Sequence, residues 1–450
     1  MNEDMTPGGT IDPIDPIDRI VRGIAVCFDD DPWTAGADAC RIIEDAGIAI
    51  AGGSIVAVEP FATLIKAHPA TPVDDHAGRY VLPGFIDVHA HFPQTEVIAA
   101  YGAQLLDWLN TYTFPAEQKY SDQAYAAEGA SVYLAETLRH GVTTAMVFAS
   151  SHPVSIDALM TQAQAQGRRL IAGKVMMDRN APPGLCDTPQ RAHDETAALI
   201  DRWHGLDRLE IAITPRFAIT STPAQLEVAG ALARAHPDLP VQTHVSENKA
   251  EIATATGLYA DAIDYTDIYD RYDLLRPRAV FAHGIHLSER ELARMSETGA
   301  VIGHCPTSNL FLGSGLFDIA AAKRSDRPIT VGLATDVGGG TSFSMLRTMD
   351  EAYKVAHITG TSLSPLTTWY WATLGNARAL GLEDRVGRLA AGYEADLVVL
   401  DPIATPLTTY RDRFARGHED RLFVLQTLGD DRMVAATYVG GQCLHRRNAG

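Results

Sequence analysis

Two hydrophobic textures divide the chain. Short, nearly continuous apolar runs recur through its middle: VLPGFIDVHAH over 81–91, VTTAMVF from Val142, LIAGKVMM from Leu170, IAITPRFA from Ile211, VQTHV from Val241, AVFAHGI from Ala279, AVIGHCP from Ala300 and ITVGLATD from Ile329. Between most of them lie longer segments with apolar residues three and four apart, among them Gln123 to Arg139, Pro223 to Ala235 and Ser288 to Thr298, the spacing of an amphipathic helix. Strand-like runs alternating with helices predict parallel β-α-β units, and eight such units are the number that closes a barrel. An open, doubly wound sheet is the alternative, but no Gly-x-Gly-x-x-Gly follows an early run.

Both ends read differently. From Ile20 to Val58, short runs such as GIAV and GIAIAGGSIVAVE are broken by Gly and Asp, which predicts small antiparallel strands and turns. The same texture returns in VGRLAAGYEADLVVLD and MVAATYVGGQ. One small β domain built from residues 20–80 and 385–450 is therefore expected beside a barrel over residues 81–384. Residues 1–19, with the repeat IDPIDPID, read as an acidic, disordered tail without the basic start and apolar centre of a signal peptide.

Composition narrows the partners. The 450 residues carry 37 basic and 56 acidic side chains, a formal net charge of −19, which argues against nucleic acid or an anionic membrane as a partner and for a small substrate. The longest uncharged apolar region, Ala46 to Val58, is well short of the roughly 20 residues of a membrane-spanning helix. Five scattered cysteines, Cys27, Cys40, Cys186, Cys305 and Cys443, form no Cys-x-x-Cys pair, so neither a disulfide framework nor a thiolate zinc knuckle is indicated and a reducing cytoplasm is expected.

Candidate chemistry collects at the C-terminal ends of the middle runs. His89 and His91 alternate on an extended strand and so emerge on one side, where two imidazoles cover half of a four-coordinate metal shell. Arg216, His244 with Glu247, His283, His304 with Asn309, and Asp336 end later runs. In a barrel these ends share one face, the face on which active sites of this fold are built. Each residue also has an ordinary reading: His283 and His304 as buried histidines bonded to backbone, Asp336 as the start of the turn ending at Gly340, Glu247 as a helix cap, Arg216 as a surface cation ending a strand. Together the ordinary readings weaken, because several independent accidents would have to meet at one barrel mouth.

His89-x-His91, His244 with Glu247 three residues on, His283 in FAHGIH and Asp336 in GLATDVGGG resemble the mononuclear metal set of the amidohydrolase superfamily. The resemblance implies a metal-bearing (β/α)8 barrel beside a small β-sandwich formed by both termini. It implies no carboxylated bridging lysine, since Lys174 lies inside its run. Gln94, LLDWLNTYTFPAE over 105–117, GKVMMDRNAP over 173–182, Arg216 in TPRFA, THVSEN over 243–248 and HCPTSNLFLGSG over 304–315 are more specifically similar to the guanine deaminases of that superfamily.

Carried over position by position, the similarity makes His89, His91, His244 and Asp336 ligands to one zinc ion, with ferrous iron as the alternative. It makes Glu247, His283 and Asp336 the groups that handle protons, and assigns Gln94, Arg216 and Phe217 to the purine. The activity it implies is hydrolytic deamination of guanine to xanthine and ammonia by a homodimer, without nucleic acid or membrane as a partner. A related enzyme for another aminopurine, a pterin or a triazine is the alternative within the class, and an inactive scaffolding protein the alternative outside it. Trp108 and Tyr112 read equally as pocket lining or as core.

Overall fold

The computed structural model describes residues 17–102 and 104–447. The tail expected over residues 1–19 lies, up to residue 16, outside the described residues, and the first strand already begins at Arg19. Four strands open the chain, β1 (Arg19–Phe28), β2 (Cys40–Ala51), β3 (Ser54–Pro60) and β4 (Val73–Pro83). Only Gly84 separates β4 from β5 (Phe85–His91), where the barrel starts.

All eight apolar runs of the middle become barrel staves. They comprise β5, β6 (Val142–Phe148), β7 (Arg169–Gly173) continued by β8 (Val175–Met176), β9 (Leu209–Ile211) continued by β10 (Thr214–Pro215), β11 (Val241–Val245), β12 (Ala279–His283), β13 (Val301–His304) and β14 (Thr330–Leu333). Pairing is parallel through β5-β6-β7-β9, β8-β10 and β11-β12-β13-β14. A parallel bridge between Ile213 and Val241 joins the two halves. The ring closes where the Asp336 amide donates to the His89 carbonyl at 2.9 Å and the His91 amide to the Val337 carbonyl at 2.6 Å. The result is the closed (β/α)8 barrel, and its staves are apolar runs because parallel strands under helices are buried on both faces. The three helices expected between staves are formed; Gln123–Arg139, Pro223–Ala235 and Glu289–Thr298 begin behind Asp122, Thr222 and Ser288, whose side chains accept from the first-turn amides.

The chain then returns to its first sheet with β15 (Leu397–Leu400), β16 (Val434–Val439) and β17 (Gln442–Arg446), giving the order β17-β16-β15-β4-β1-β2-β3. Both termini therefore build one small domain. Its strands are antiparallel except that β1 and β4 pair in parallel, a difference from the sequence expectation. The helix Phe61–Ala67 carries the chain between β3 and β4, and a parallel neighbour needs such a crossover where a tight turn cannot serve.

Alternation along β15 shows how the domain is held. Leu397 and Val399 join Val21, Ile48, Ile50 and Ile55 in the core of the β-sandwich, while Val398 and Leu400 face the barrel core. Gly141 allows that approach: a Cβ there would meet Val398 Cγ2 at 2.5 Å. Glu394 accepts from Nε of both Arg169 and Arg208 at 2.9 Å, tying the small domain to the barrel. No described helix is long and apolar enough to cross a membrane.

Candidate active site

Beyond the C-terminal ends of the staves, four side chains converge. His89 and His91 leave the buried strand β5 on one side, with Nε2 atoms 3.2 Å apart. His244, near the end of β11, brings its Nε2 to 3.1 Å from that of His91. Asp336 follows β14 and places Oδ1 3.2 Å from His89 Nε2 and 3.5 Å from His91 Nε2. Ligands about 2.05 Å from a tetrahedral zinc ion stand about 3.3 Å from one another, so the donor set has the spacing of a metal shell.

The protonation of these groups points the same way. Burial drives the imidazoles of His91 and His244 well below their ordinary proton affinity, and the neighbouring histidines add to it. His244 donates its Nδ1 hydrogen to the Arg216 carbonyl at 2.6 Å, which leaves Nε2 with a lone pair facing the cluster. Burial alone would raise the Asp336 carboxyl, but hydrogen bonding and charge from His89 and the charge of His283 prevail and hold it below its usual value. Imidazole nitrogens of low proton affinity and an anionic oxygen at hydrogen-bond distance from one another fit a cation. The cluster is a site able to hold a metal ion.

Beside it lies a group suited to moving protons. Glu247 is buried, and burial raises its carboxyl to about 7. Its Oε2 is 3.3 Å from His283 Nε2, and its Oε1 accepts from Ser314 Oγ at 2.9 Å. His283 Nδ1 meets Asn309 Oδ1 at 2.8 Å. Burial opposes protonation of His283, but the carboxylates of Glu247 and Asp336 overcome it and lift the ring above its usual range. His283 and Asp336 both adopt left-handed backbone, φ 73° and 50°. Such conformations cost about 1–3 kcal/mol each in non-glycine residues and persist where surrounding structure imposes them.

One cavity opens onto both groups. His91, His244, Glu247, His283 and Asp336 line it, together with Gln94, Arg216 and Phe217. Its apolar wall is formed by Leu105, Trp108, Leu109 and Leu312. The helical segment Leu105–Trp108 widens into a π turn over Leu109–Thr113 before Phe114–Gln118, a distortion frequent at functional sites. Trp108 is thus both core and lining, whereas Tyr112 packs against the core and is absent from the cavity wall. His304 stands apart, stacked on Phe317 at 4.7 Å and kept neutral by burial, which lowers it to about 3.

Three contributors escaped the sequence reading. Glu117 accepts from both Gln94 and Arg216; it belongs to a stretch quoted for its similarity, but nothing local says where its side chain turns. Ser314 reaches Glu247 across 67 positions, whereas Asn309, already a candidate beside His304, meets His283. Asp87 carried a usable signal, an acid two residues before His89 and hence on the same strand face. It accepts from the amides of Thr335 at 3.0 Å and His89 at 3.3 Å, pinning the first stave to the last.

The comparisons agree with this geometry. Residues 80–444 match the model of the Amidohydrolase family. The guanine deaminase of Escherichia coli (strain K12) is 47% identical over 416 residues, covering 92% of this chain and 94% of that protein. A solved E. coli guanine deaminase superposes with a TM-score of 0.93 at 46% identity, over 96% of this chain and 100% of the other. The guanine deaminase from C. acetobutylicum, solved with bound guanine in the active site, gives 0.86 at 28% identity, over 95% and 100% of the two chains. By matched length, identity and site architecture, the chain belongs to the amidohydrolase family and, within it, to the guanine deaminases.

Proposed function

We propose that this chain hydrolyses guanine to xanthine and ammonia, with His89, His91, His244 and Asp336 holding one zinc ion. The observation that carries the reading is a single cavity onto which the histidine–aspartate cluster, the buried carboxyl of Glu247 and the Arg216–Gln94 pair all open. A bound ion supplies water acidified to near neutrality. Zinc suits the donor set, and elemental analysis of protein purified without added metal separates it from ferrous iron.

The chain's own residues then account for recognition and proton transfer. Arg216 offers a planar set of donors to the O6 carbonyl, and Gln94 both donates and accepts along the purine edge. Phe217, buried in the cavity wall, lies against the ring face. As water adds to C2, Glu247 takes its first proton and passes it to N3; the proton of the resulting C2 hydroxyl then passes to the amino group, and as C2 becomes a carbonyl the C2–N bond breaks and ammonia leaves. His283, held by Asn309, donates toward the attacking oxygen as charge develops there. Asp336 accepts from the water and orients it.

Incubating metal-loaded protein with guanine tests the reading, which fails if neither ammonia nor xanthine forms. Arg216→Ala is expected to raise KM about 10- to 100-fold, the size of a lost charged hydrogen bond, with a smaller change in kcat. Ser314→Ala, which leaves one oxygen of Glu247 without its donor, is expected to lower kcat about 2- to 10-fold at unchanged KM. Steady-state kinetics checks both. The reading also takes the protein to be a cytoplasmic homodimer, on the strength of its free cysteines and its family; sedimentation of the purified chain checks the oligomeric state.

A further inference from the structure

We propose that Glu117 is a positioning residue that sets specificity: it fastens Arg216 and Gln94 into one electrically neutral reading unit, so that the cavity selects an uncharged base with a ring carbonyl over an anionic ligand. The proposal rests on the reading of Arg216 and Gln94 as the substrate-facing pair.

Glu117 is completely buried. Its Oε1 accepts from Gln94 Nε2 at 3.0 Å and from Arg216 NH1 at 2.9 Å, and its Oε2 accepts from the same NH1 at 2.7 Å. Its own backbone is anchored, the carbonyl accepting from Ser150 Oγ at 2.8 Å. Phe114, three residues earlier on the same helix, places its ring 5.3 Å from the guanidinium carbon of Arg216. One short helix thereby fixes the guanidinium by its face and by one nitrogen.

Two consequences follow from the chemistry of these groups. An ionised carboxylate only accepts, so the atom of Gln94 that faces Glu117 is its amide nitrogen. The flip of the amide is thereby determined, with one N–H spent on Glu117 and the oxygen turned toward the Gly338 amide, 3.4 Å away. The second consequence concerns charge. An unpaired guanidinium in a dry pocket is an anion receptor, because its fork matches carboxylates and other oxyanions. Paired with a buried carboxylate it carries no net charge, and Glu117 engages only NH1, leaving the rest of the fork to a neutral carbonyl acceptor. Among the described residues no other side-chain hydrogen bond from Arg216 is found.

Glu117→Gln keeps the shape and removes the charge. It is expected to raise KM for guanine about 10- to 100-fold with kcat changed less than about threefold. Inhibition by 2-aminopurine, which lacks O6, is expected to change less than threefold, and inhibition by urate, an anion at neutral pH, is expected to tighten. A merely structural role weakens all three ligands together, and that result would overturn the proposal. Glu117→Asp retains the charge but is too short to bridge both partners. It is expected to lose guanine affinity without gaining urate affinity, and equal losses for guanine and 2-aminopurine would overturn the proposal even if the Gln variant does not fold. Calorimetric binding of urate and 2-aminopurine to wild type and variant needs no turnover. Should the wild type fail to deaminate guanine, the functional reading falls while these titrations still decide the role of Glu117.

Discussion

Glu247→Gln is expected to lower kcat on guanine by about 10²- to 10⁴-fold, the range for loss of a positioned general acid–base group, while KM changes only a few-fold. The carboxyl is buried between His283 Nε2 at 3.3 Å and Ser314 Oγ at 2.9 Å, so the amide occupies the same space and keeps one acceptor for the serine. What it loses is the capacity to take a proton. The pH profile adds a signed test. Burial raises Glu247 to about 7, and a bound cation draws that value down. Activity through the ionised form is present above this value and is lost as pH falls through it, so the acid limb of kcat/KM lies at or below about pH 7. In the Gln variant the residual rate no longer follows that limb. Because the fold must bury a carboxyl that would otherwise ionise, the Gln variant is expected to melt no lower than wild type at neutral pH. Near-wild-type turnover in this variant would remove Glu247 from the mechanism.

The fold was more legible than the site's supporting contacts, for physical reasons. Parallel staves are buried on both faces, so they announce themselves as continuous apolar runs, and all eight of those runs become staves. The ladder between β1 and β4 was not legible, because a short hydrophobic run carries no record of which neighbour it pairs with or in which sense. His89 and His91 were readable because alternation along one strand is a local rule. His244, His283 and Asp336 were readable because each ends a recognisable stave. Glu117 is different: it meets Arg216 across 99 positions, through a helix whose π turn rotates every later side chain. Ser314 meets Glu247 across 67 positions by way of an irregular loop. Strand periodicity places ligands; hydrogen bonds between distant loops orient them, and no local pattern encodes those.

Removing the metal is expected to abolish guanine turnover and to lower Tm in the same titration. Three imidazole nitrogens lie within 3.1 to 3.2 Å of their neighbours, and burial drives two of the rings well below their usual proton affinity. A cation bound among these nitrogens and the Asp336 oxygen, 3.2 Å from His89 Nε2, sits in a buried space where its attraction to the carboxylate is poorly screened. An ion that binds only the folded chain adds about 4 kcal/mol at a thousandfold excess over Kd, which in a chain of this size amounts to a few degrees of Tm. Readdition of zinc to chelated protein is expected to restore rate and Tm together. His244→Ala separates a ligand from a bystander. It removes one arm of the cluster and the hydrogen bond to the Arg216 carbonyl, so this variant is expected to remain inactive and to show no rise in Tm on adding zinc at concentrations that saturate the wild type. A chelated protein that loses activity at unchanged Tm, or a His244→Ala variant that still responds to zinc, would place the ion elsewhere than between these four side chains.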